Sequence, residues 1–428
     1  MNKTLKIILF IAVAVILLDV IAFAVYTRWE EAPRQVAESP VQPKETAPLD
    51  ETPNQDELES LQTEKPATQK KDGVYTILLV GIDDASDQTD TIIVGKIDTN
   101  EHSMNFVSIP RDTLVNVAWD TKKINTVYYG TERSHGTQDE AISALRQQVK
   151  NIMGYDVDCY AFISIRAFVD VIDAMGGVFF DVPDYVAYID QTNEYWVFLA
   201  PGYQHLNGVN AMGVVRFRET YPTADLGRIE VQHDFLKAVA DQCLSLGTIP
   251  HAKQIIDIIR NETETDLSAA NIAFFMRQAM MCKSENIRFM TVPASNQFLN
   301  DLSYAVIHLD DWMAMLNEYM NPFDENMTYG NVNIIFRNYF GYGCTGGFLD
   351  PAFFAAANEE IMRQNNGESG TEETQKPETP ETPQAPQNPE PSQPEVPQEP
   401  EPEPEPVQPE APTAPEPVIP DTTQETGE

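Results

Sequence analysis

From Gly73 to about Asn366, short β-branched or apolar runs alternate with helix-length amphipathic segments, and this alternation is what most restricts the fold. "VYTILLVGID" (Val74–Asp83) is a mostly apolar run of strand length that ends in Gly-x-Asp. "TIIVGKID" and "SMNFVSIP" follow at short spacing and also read as strands. "TQDEAISALRQQVKNIMG" has an acidic first turn and a terminal glycine, the pattern of a capped helix. "DCYAFISI" returns to strand, "RAFVDVIDAMGG" is a short amphipathic helix closed by glycines, and "VFFDV" is a further strand. In "DLGRIEVQHDFLKAVADQCLSLG", Ile229, Leu236, Val239 and Cys243 recur at helical spacing. The helices "HAKQIIDIIR" and "SAANIAFFMRQAMM", the strand "IRFMTVP" and the helix "DDWMAMLNEYM" complete the series. Such alternation predicts a mixed α/β domain, a central sheet covered by helices on both faces. There is no internal repeat.

Both flanks differ in composition. Gly367 to Glu428 holds 15 Glu, 1 Asp, 1 Lys and 17 prolines. With almost no apolar side chains to bury, this tail cannot offset the entropy of ordering and is expected to be disordered and polyproline-like. Residues 27–72 are similar in kind and read as a linker. Leu5 to Tyr26 is long enough to cross a bilayer, which takes about 20 mostly apolar residues. Lys3 and Lys6 lie at its start while Glu30 and Glu31 follow its end, which places residues 1–4 in the cytoplasm and the rest outside. Ala22-Phe23-Ala24 resembles a signal-peptidase site, the competing reading, but the apolar stretch exceeds a usual signal core. The expected layout is a short cytoplasmic terminus, a span over 5–26, a linker over 27–72, a domain over 73–322, an extension over 323–366 and the tail.

Four cysteines suit an extracytoplasmic setting without defining a disulfide framework; Cys243 and Cys282, both in helical segments, are able to pair. No CxxC or His/Cys cluster suggests zinc, and no GxSxG elbow supports a serine hydrolase.

The polar residues that could gather chemistry lie at element ends. Asp83 follows the first strand and Asp90 opens the second, so the polar loop between them can fold back and bring both carboxylates together. Oxygen ligands at a strand end suit magnesium when substrate phosphates complete its shell, whereas ordinary turn aspartates would look the same. Arg111 stands at the carboxyl end of the third strand, in a corner fixed by Pro110. Arg216 and Arg218, in "GVVRFRETYP", project to one side if that piece is extended. Arg228 and Gln232 are four apart on the following helix, and Arg228 lies in its first turn, where free N–H groups favour anions.

The chain carries −38; setting aside +1 for residues 1–26, −5 for the linker and −15 for the tail leaves −19 on the domain. An acidic domain that still gathers arginines in "RFRETYPTADLGR" is set up for a local anion, and guanidinium forks take phosphate oxygens bidentately. Without a basic stripe, nucleic acid is not the expected phosphate source.

"ILLVGIDDASDQTDTIIVGKID", "VSIPRDTLV", "KINTVYYG", "DAMGGVFFDVP", "HLNGVNAMGVVRFR" and "DLGRIEVQ" resemble, in order, the motifs of the LytR-CpsA-Psr family. The matches run from Ile77 to Gln232. The resemblance implies a membrane-anchored transferase that moves glycopolymer, such as teichoic acid or capsular polysaccharide, from an undecaprenyl pyrophosphate carrier onto peptidoglycan. It implies that Asp83 and Asp90 organise Mg2+ and the pyrophosphate, with Arg111, Arg216, Arg218, Arg228 and Gln232 around it. Lys123 in "KIN" and Asp225 in "DLGR" match weaker positions, and the lipid is expected in an apolar groove within the domain. Two family arginines are missing: Asp84, Ala85 and Ser86 stand where one usually follows the Gly-x-Asp aspartate, and Val231 where one precedes the helix glutamine. A non-catalytic binder of lipid-linked glycan and a polyprenyl pyrophosphate hydrolase are the alternatives.

Overall fold

The computed structural model describes residues 30–36, 68–83, 88–135, 137–190, 195–218, 225–246, 251–346 and 349–365. All belong to one compact unit, Met1–Ser369; the second unit, Gly370–Glu428, lies outside the described residues, as do the expected span at 5–26 and Asp84 to Ser86.

Three strands, β1 (Val74–Ile82), β2 (Thr89–Asp98) and β3 (Ser103–Ser108), form an antiparallel meander. Helices α1 (Asn125–His135) and α2 (Gln138–Met153) then lead to β4 (Cys159–Ser164), which lies parallel to β1. The left-handed Gly154 closes α2, donating its N–H to Lys150 O. After β4 come α3 (Ile165–Ala174), β5 (Val178–Val182), β6 (Val186–Asp190), β7 (Tyr195–Leu199), β8 (Gly202–Leu206) and α4 (Gly208–Arg216). The long α5 (Asp225–Leu246) follows, then α6 (Ala252–Glu262), β9 (Thr263–Thr265), α7 (Ala269–Met281) and β10 (Ile287–Thr291). The central sheet has the order β10-β3-β2-β1-β4-β9.

Alternate residues of β1 face opposite layers. Leu78 and Val80 pack with Leu145 and Val149 of α2 and with the buried Trp312, whose indole donates to Ile152 O at 2.9 Å. Ile77 packs on the other face with Ile256 of α6 and Ile272 of α7. Helices therefore cover both faces, as the alternation predicts.

A side lobe joins β5–β8 and β6–β7, two antiparallel ribbons, to α3, α4 and α5 through a second apolar cluster. Its close packing depends on Gly208: a Cβ there would lie 2.2 Å from Val169 O.

The remainder comprises the hairpin β11 (Ala294–Leu299) and β12 (Leu302–Ile307), α8 (Leu309–Met315) continued by a π-helical turn, the hairpin β13 (Ile335–Asn338) and β14 (Gly341–Cys344), and α9 (Pro351–Asn365). The extension beyond residue 322 thus folds as a hairpin and a helix, and α9 buries Phe354 and Ile361 against Tyr304 and Tyr342.

Two other expectations are corrected. "GVVRFR" is not extended through Arg216: α4 runs to Arg216, and only Phe217 turns to extended backbone. Cys243 and Cys282 are not bonded, since all four cysteines are free thiols. Cys282 is buried among Ile97, Met104 and Leu267.

Candidate functional site

The meander brings distant sequence to one sheet edge. Strand β1 runs out to Asp83, β2 returns from Asp90, and β3 runs out again toward Arg111, so all three residues meet at the same end. A register shift after Gly81 bends the end of β1, and Asp83 N–H donates to Gln88 O at 3.0 Å, closing the turn between the two aspartates. The Arg111 corner is rigid: Thr113 donates to Pro110 O from both N–H (3.0 Å) and Oγ1 (2.6 Å), and Asn125 N–H donates to Arg111 O at 3.1 Å.

From the other side, α4 delivers Arg216 and α5 delivers Arg228 and Gln232. Arg216 Nη2 lies 2.8 Å from Asp83 Oδ2 and 4.0 Å from Asp90 Oδ2, so both carboxylates share one guanidinium. Arg111 Nη1 holds the other oxygen of Asp90 at 2.8 Å. Arg228, 4 % exposed, donates to the Asp90 carbonyl at 3.0 Å. Gln232 donates to Val215 O at 2.9 Å and Thr91 Oγ1 at 3.3 Å, joining α5 to α4 and β2.

Two further residues were not foreseen. Tyr188 and Asp190 lie on the inward face of β6; Arg216 stacks 5.6 Å from the Tyr188 ring, and its Nη1 is 3.9 Å from Asp190 Oδ2. Alternation in "YVAYID" places the two on one face, but nothing local says that this face meets Arg216. Burial alone would lower the Arg216 pKa; Tyr188, Asp83 and Asp90 outweigh it, and the net shift is upward, so the group stays charged. Burial also pushes the Tyr188 phenol up, keeping it protonated. Arg216 Nη1 is buried and makes no hydrogen bond among the described residues, which leaves a donor directed into the cluster.

Not every expected residue joins. Lys123 pairs with Asp112 at 3.1 Å and lies 5.6 Å from the Tyr304 ring centre. Arg218 is exposed and takes no part in the contacts above, because the helix ends at Arg216 and the backbone turns extended at the buried Phe217, which leaves the next side chain outside. The side chain of Asp225 lies outside the described residues. Val231, where the family pattern has a cation, is buried with Phe235 and Phe217. Behind the cluster, α5 is braced by His233, whose Nε2 is 2.8 Å from Ser108 Oγ at the end of β3.

The cluster forms one lip of an apolar cavity of about 520 Å³ between the sheet and helices α3, α5 and α7. Ile77, Leu79, Phe168, Phe235, Phe275 and Phe289 line its walls, and Asp83, Asp90, Arg216 and Gln232 stand at its polar end. Cys243 is part of the wall. A site of this form can take an amphiphile, with a chain in the cavity and an anionic head against the arginines. Among the described residues no group of three or more His, Cys, Asp or Glu side chains is spaced to hold a metal ion. Two carboxylates within 4.0 Å of one nitrogen do fit the oxygen-only share that magnesium takes from a protein when phosphate and water supply the rest.

Comparisons with known proteins identify relatives of the chain. Residues 44–321 match the model of the LytR_cpsA_psr family. The chain is 31% identical over 203 residues to the polyisoprenyl-teichoic acid–peptidoglycan teichoic acid transferase TagV of Bacillus subtilis, covering 45% of this chain and 50% of the relative. It is 28% identical over 249 residues to TagU, of the same description, from Oceanobacillus iheyensis, covering 56% and 72%. A crystal structure of B. subtilis TagV superposes with a TM-score of 0.47 at 25% identity, covering 58% of this chain and 96% of that one. With a family model matched across the meander, the side lobe and the sheet's far edge, this chain belongs to the LytR-CpsA-Psr family.

Proposed function

We propose that the protein is a membrane-anchored, extracytoplasmic phosphotransferase that joins a polyprenyl-diphosphate-linked glycopolymer to peptidoglycan. The observation that carries this reading is the convergence of Arg111, Arg216, Arg228 and Gln232 on the Asp83–Asp90 pair at the mouth of an apolar cavity. TagV and TagU are described as teichoic acid transferases, which supports a glycan of teichoic acid type as the donor. Residues 5–26 supply the membrane span in this reading.

In the proposed reaction the polyprenyl chain occupies the cavity and its diphosphate lies against the arginines. Phosphoryl transfer asks a protein mainly for positioning and charge stabilisation, and fixed guanidinium groups meet both needs. A sugar hydroxyl of the wall attacks the phosphorus that bears the glycan. A new phosphodiester forms, the bond to the lipid phosphate breaks, and polyprenyl monophosphate leaves. The hydroxyl proton passes to Asp83 or Asp90. Those same two residues would hold magnesium, which when bound neutralises charge on the diphosphate.

Removing one arginine is expected to cost about 2–4 kcal/mol of transition-state stabilisation, the typical cost of losing a preorganised donor. Purified protein, lipid-linked glycan and peptidoglycan fragments test the scheme. Full turnover by Arg111→Ala or Asp90→Ala overturns it. Equal monophosphate release without peptidoglycan would identify a hydrolase, and tight binding without release a carrier-binding protein.

A further inference from the structure

Sequence composition makes residues 27–72 a linker between membrane and domain, yet its two ends are fastened to the domain. Glu31 N–H donates to Ala270 O at 3.2 Å, and Asn271 Nδ2 donates to Glu31 O at 2.8 Å, both at the first turn of α7. Glu30 pairs with Arg277 nearly two turns further along the helix, and Pro33 is buried. Gln35 Nε2 donates to Lys71 O (2.9 Å) and Val74 O (2.7 Å). Val36 N–H and Lys70 Nζ both reach the same oxygen of the buried Asp158, at 2.7 and 2.9 Å. The other Asp158 oxygen accepts from Thr76 N–H and Oγ1, each at 2.8 Å, which locks this hub to β1.

Because Val36 and Lys70 meet at one carboxylate of the domain, the length of chain between those two residues adds nothing to the reach between membrane and domain. We infer that residues 30–36 are a juxtamembrane strap that holds the α7 face of the domain against the lipid bilayer, with a tether of only residues 27–29. This rests on reading residues 5–26 as a membrane span. From Tyr26 to Glu30 an extended chain covers at most about 14 Å. From Ala270 to Met276 and Met280, which line the cavity, α7 rises about 9 and 15 Å. The apolar wall of the cavity is thereby held within a short distance of the bilayer surface, and a membrane lipid passes into it without a long aqueous path.

The test uses the full chain in nanodiscs with an acceptor dye on the lipid headgroups and a donor dye at Glu264, exposed and close in sequence to α7. A twelve-residue Gly-Ser segment between Trp29 and Glu30 lengthens the tether by about 20 Å root-mean-square and is expected to cut energy transfer. The same segment after Asn54 is expected to leave transfer unchanged, because it enlarges only the closed excursion. Adding Gln35→Ala and Asn271→Ala to the Asn54 insertion is expected to release the strap and lower transfer. Equal loss from both insertions, no loss from either, or no transfer in the unmodified chain overturns the inference. None of these readouts needs substrate, so a failed transferase assay leaves this result intact, and a working transferase in which both insertions behave alike sinks the strap alone.

Discussion

Replacing Arg216 with alanine removes the cation shared by the two carboxylates that the meander brings together. The Asp83 contact is 2.8 Å, and Asp90 and Asp190 lie at 4.0 and 3.9 Å. Breaking a buried pair by deleting one partner costs about 3–5 kcal/mol, chiefly because the remaining charge is left uncompensated. Here the side chains of Arg216, Asp83 and Asp90 retain 21, 18 and 23% exposure, so water recovers part of that cost and about 3 kcal/mol is expected. At about 2–4 °C per kcal/mol for a domain of this order, the melting temperature should fall by about 6–12 °C.

Thermal melts of wild type and Arg216→Ala, each with and without millimolar magnesium, read this directly. Two aspartates deprived of their guanidinium repel each other and should welcome a divalent ion. Magnesium is therefore expected to raise the melting temperature of the variant more than that of the wild type; at one hundred times its dissociation constant a bound ion adds about 2.7 kcal/mol of stability. An Arg216→Ala protein that melts within 2 °C of wild type in the absence of magnesium would refute the reasoning, since the shared ion pair would then be absent in solution.

Filling the cavity from its wall with Ala240→Trp or Ala279→Trp should abolish turnover of a long polyprenyl donor while sparing a short-chain analogue, measured as the ratio of the two rates. Burial holds the His233 pKa below its ordinary value, so the folded chain keeps this ring neutral where the unfolded chain takes a proton. Stability should then fall as pH drops below about 6.5, and His233→Gln should flatten that part of the melting temperature–pH curve. Gly208→Ala forces a Cβ to 2.2 Å from Val169 O, an overpacking by backbone that should cost about 1–3 kcal/mol in a denaturant melt.

The sheet and its covering helices were legible because their apolar residues repeat at the period of the element that buries them. The placement of Asp83, Asp90 and Arg111 was legible for a related reason: three strands at short spacing form a meander, and its turns and ends put those residues on one edge. Arg228 and Gln232 followed from the helical spacing of α5. Arg216 and Arg218 did not, because the helix stops between them, and the residue-by-residue pattern of "VVRFR" fits either a strand or a helix end. The ribbons of the side lobe were harder still. Trp196 and Phe198 point outward at 67 and 69% exposure while Val197 between them is buried, so a run that reads as uniformly apolar hides its two-sided character. Asp190 was missed with them. Nor does composition reveal the docked ends of the linker, since Val36 and Lys70 meet on a carboxylate more than eighty residues away.

The resting cluster places three guanidinium groups, Arg111, Arg216 and Arg228, beside three carboxylates, Asp83, Asp90 and Asp190. Formally it is balanced, so the charge of these partly and fully buried arginines is met within the cluster. The balance also sets how the site must work in the proposed reaction. A diphosphate cannot engage Arg111 and Arg216 fully while Asp90 and Asp83 hold them, and those aspartates cannot release them without another positive charge. In that reading a divalent cation held by the carboxylates and a diphosphate held by the arginines would favour each other, and by linkage each would strengthen the other's binding by the same factor. In the same reading the carboxylates would also act before substrate arrives: they would hold Arg111 and Arg216 toward the cavity mouth, so that the donors are already aimed when the diphosphate takes their place.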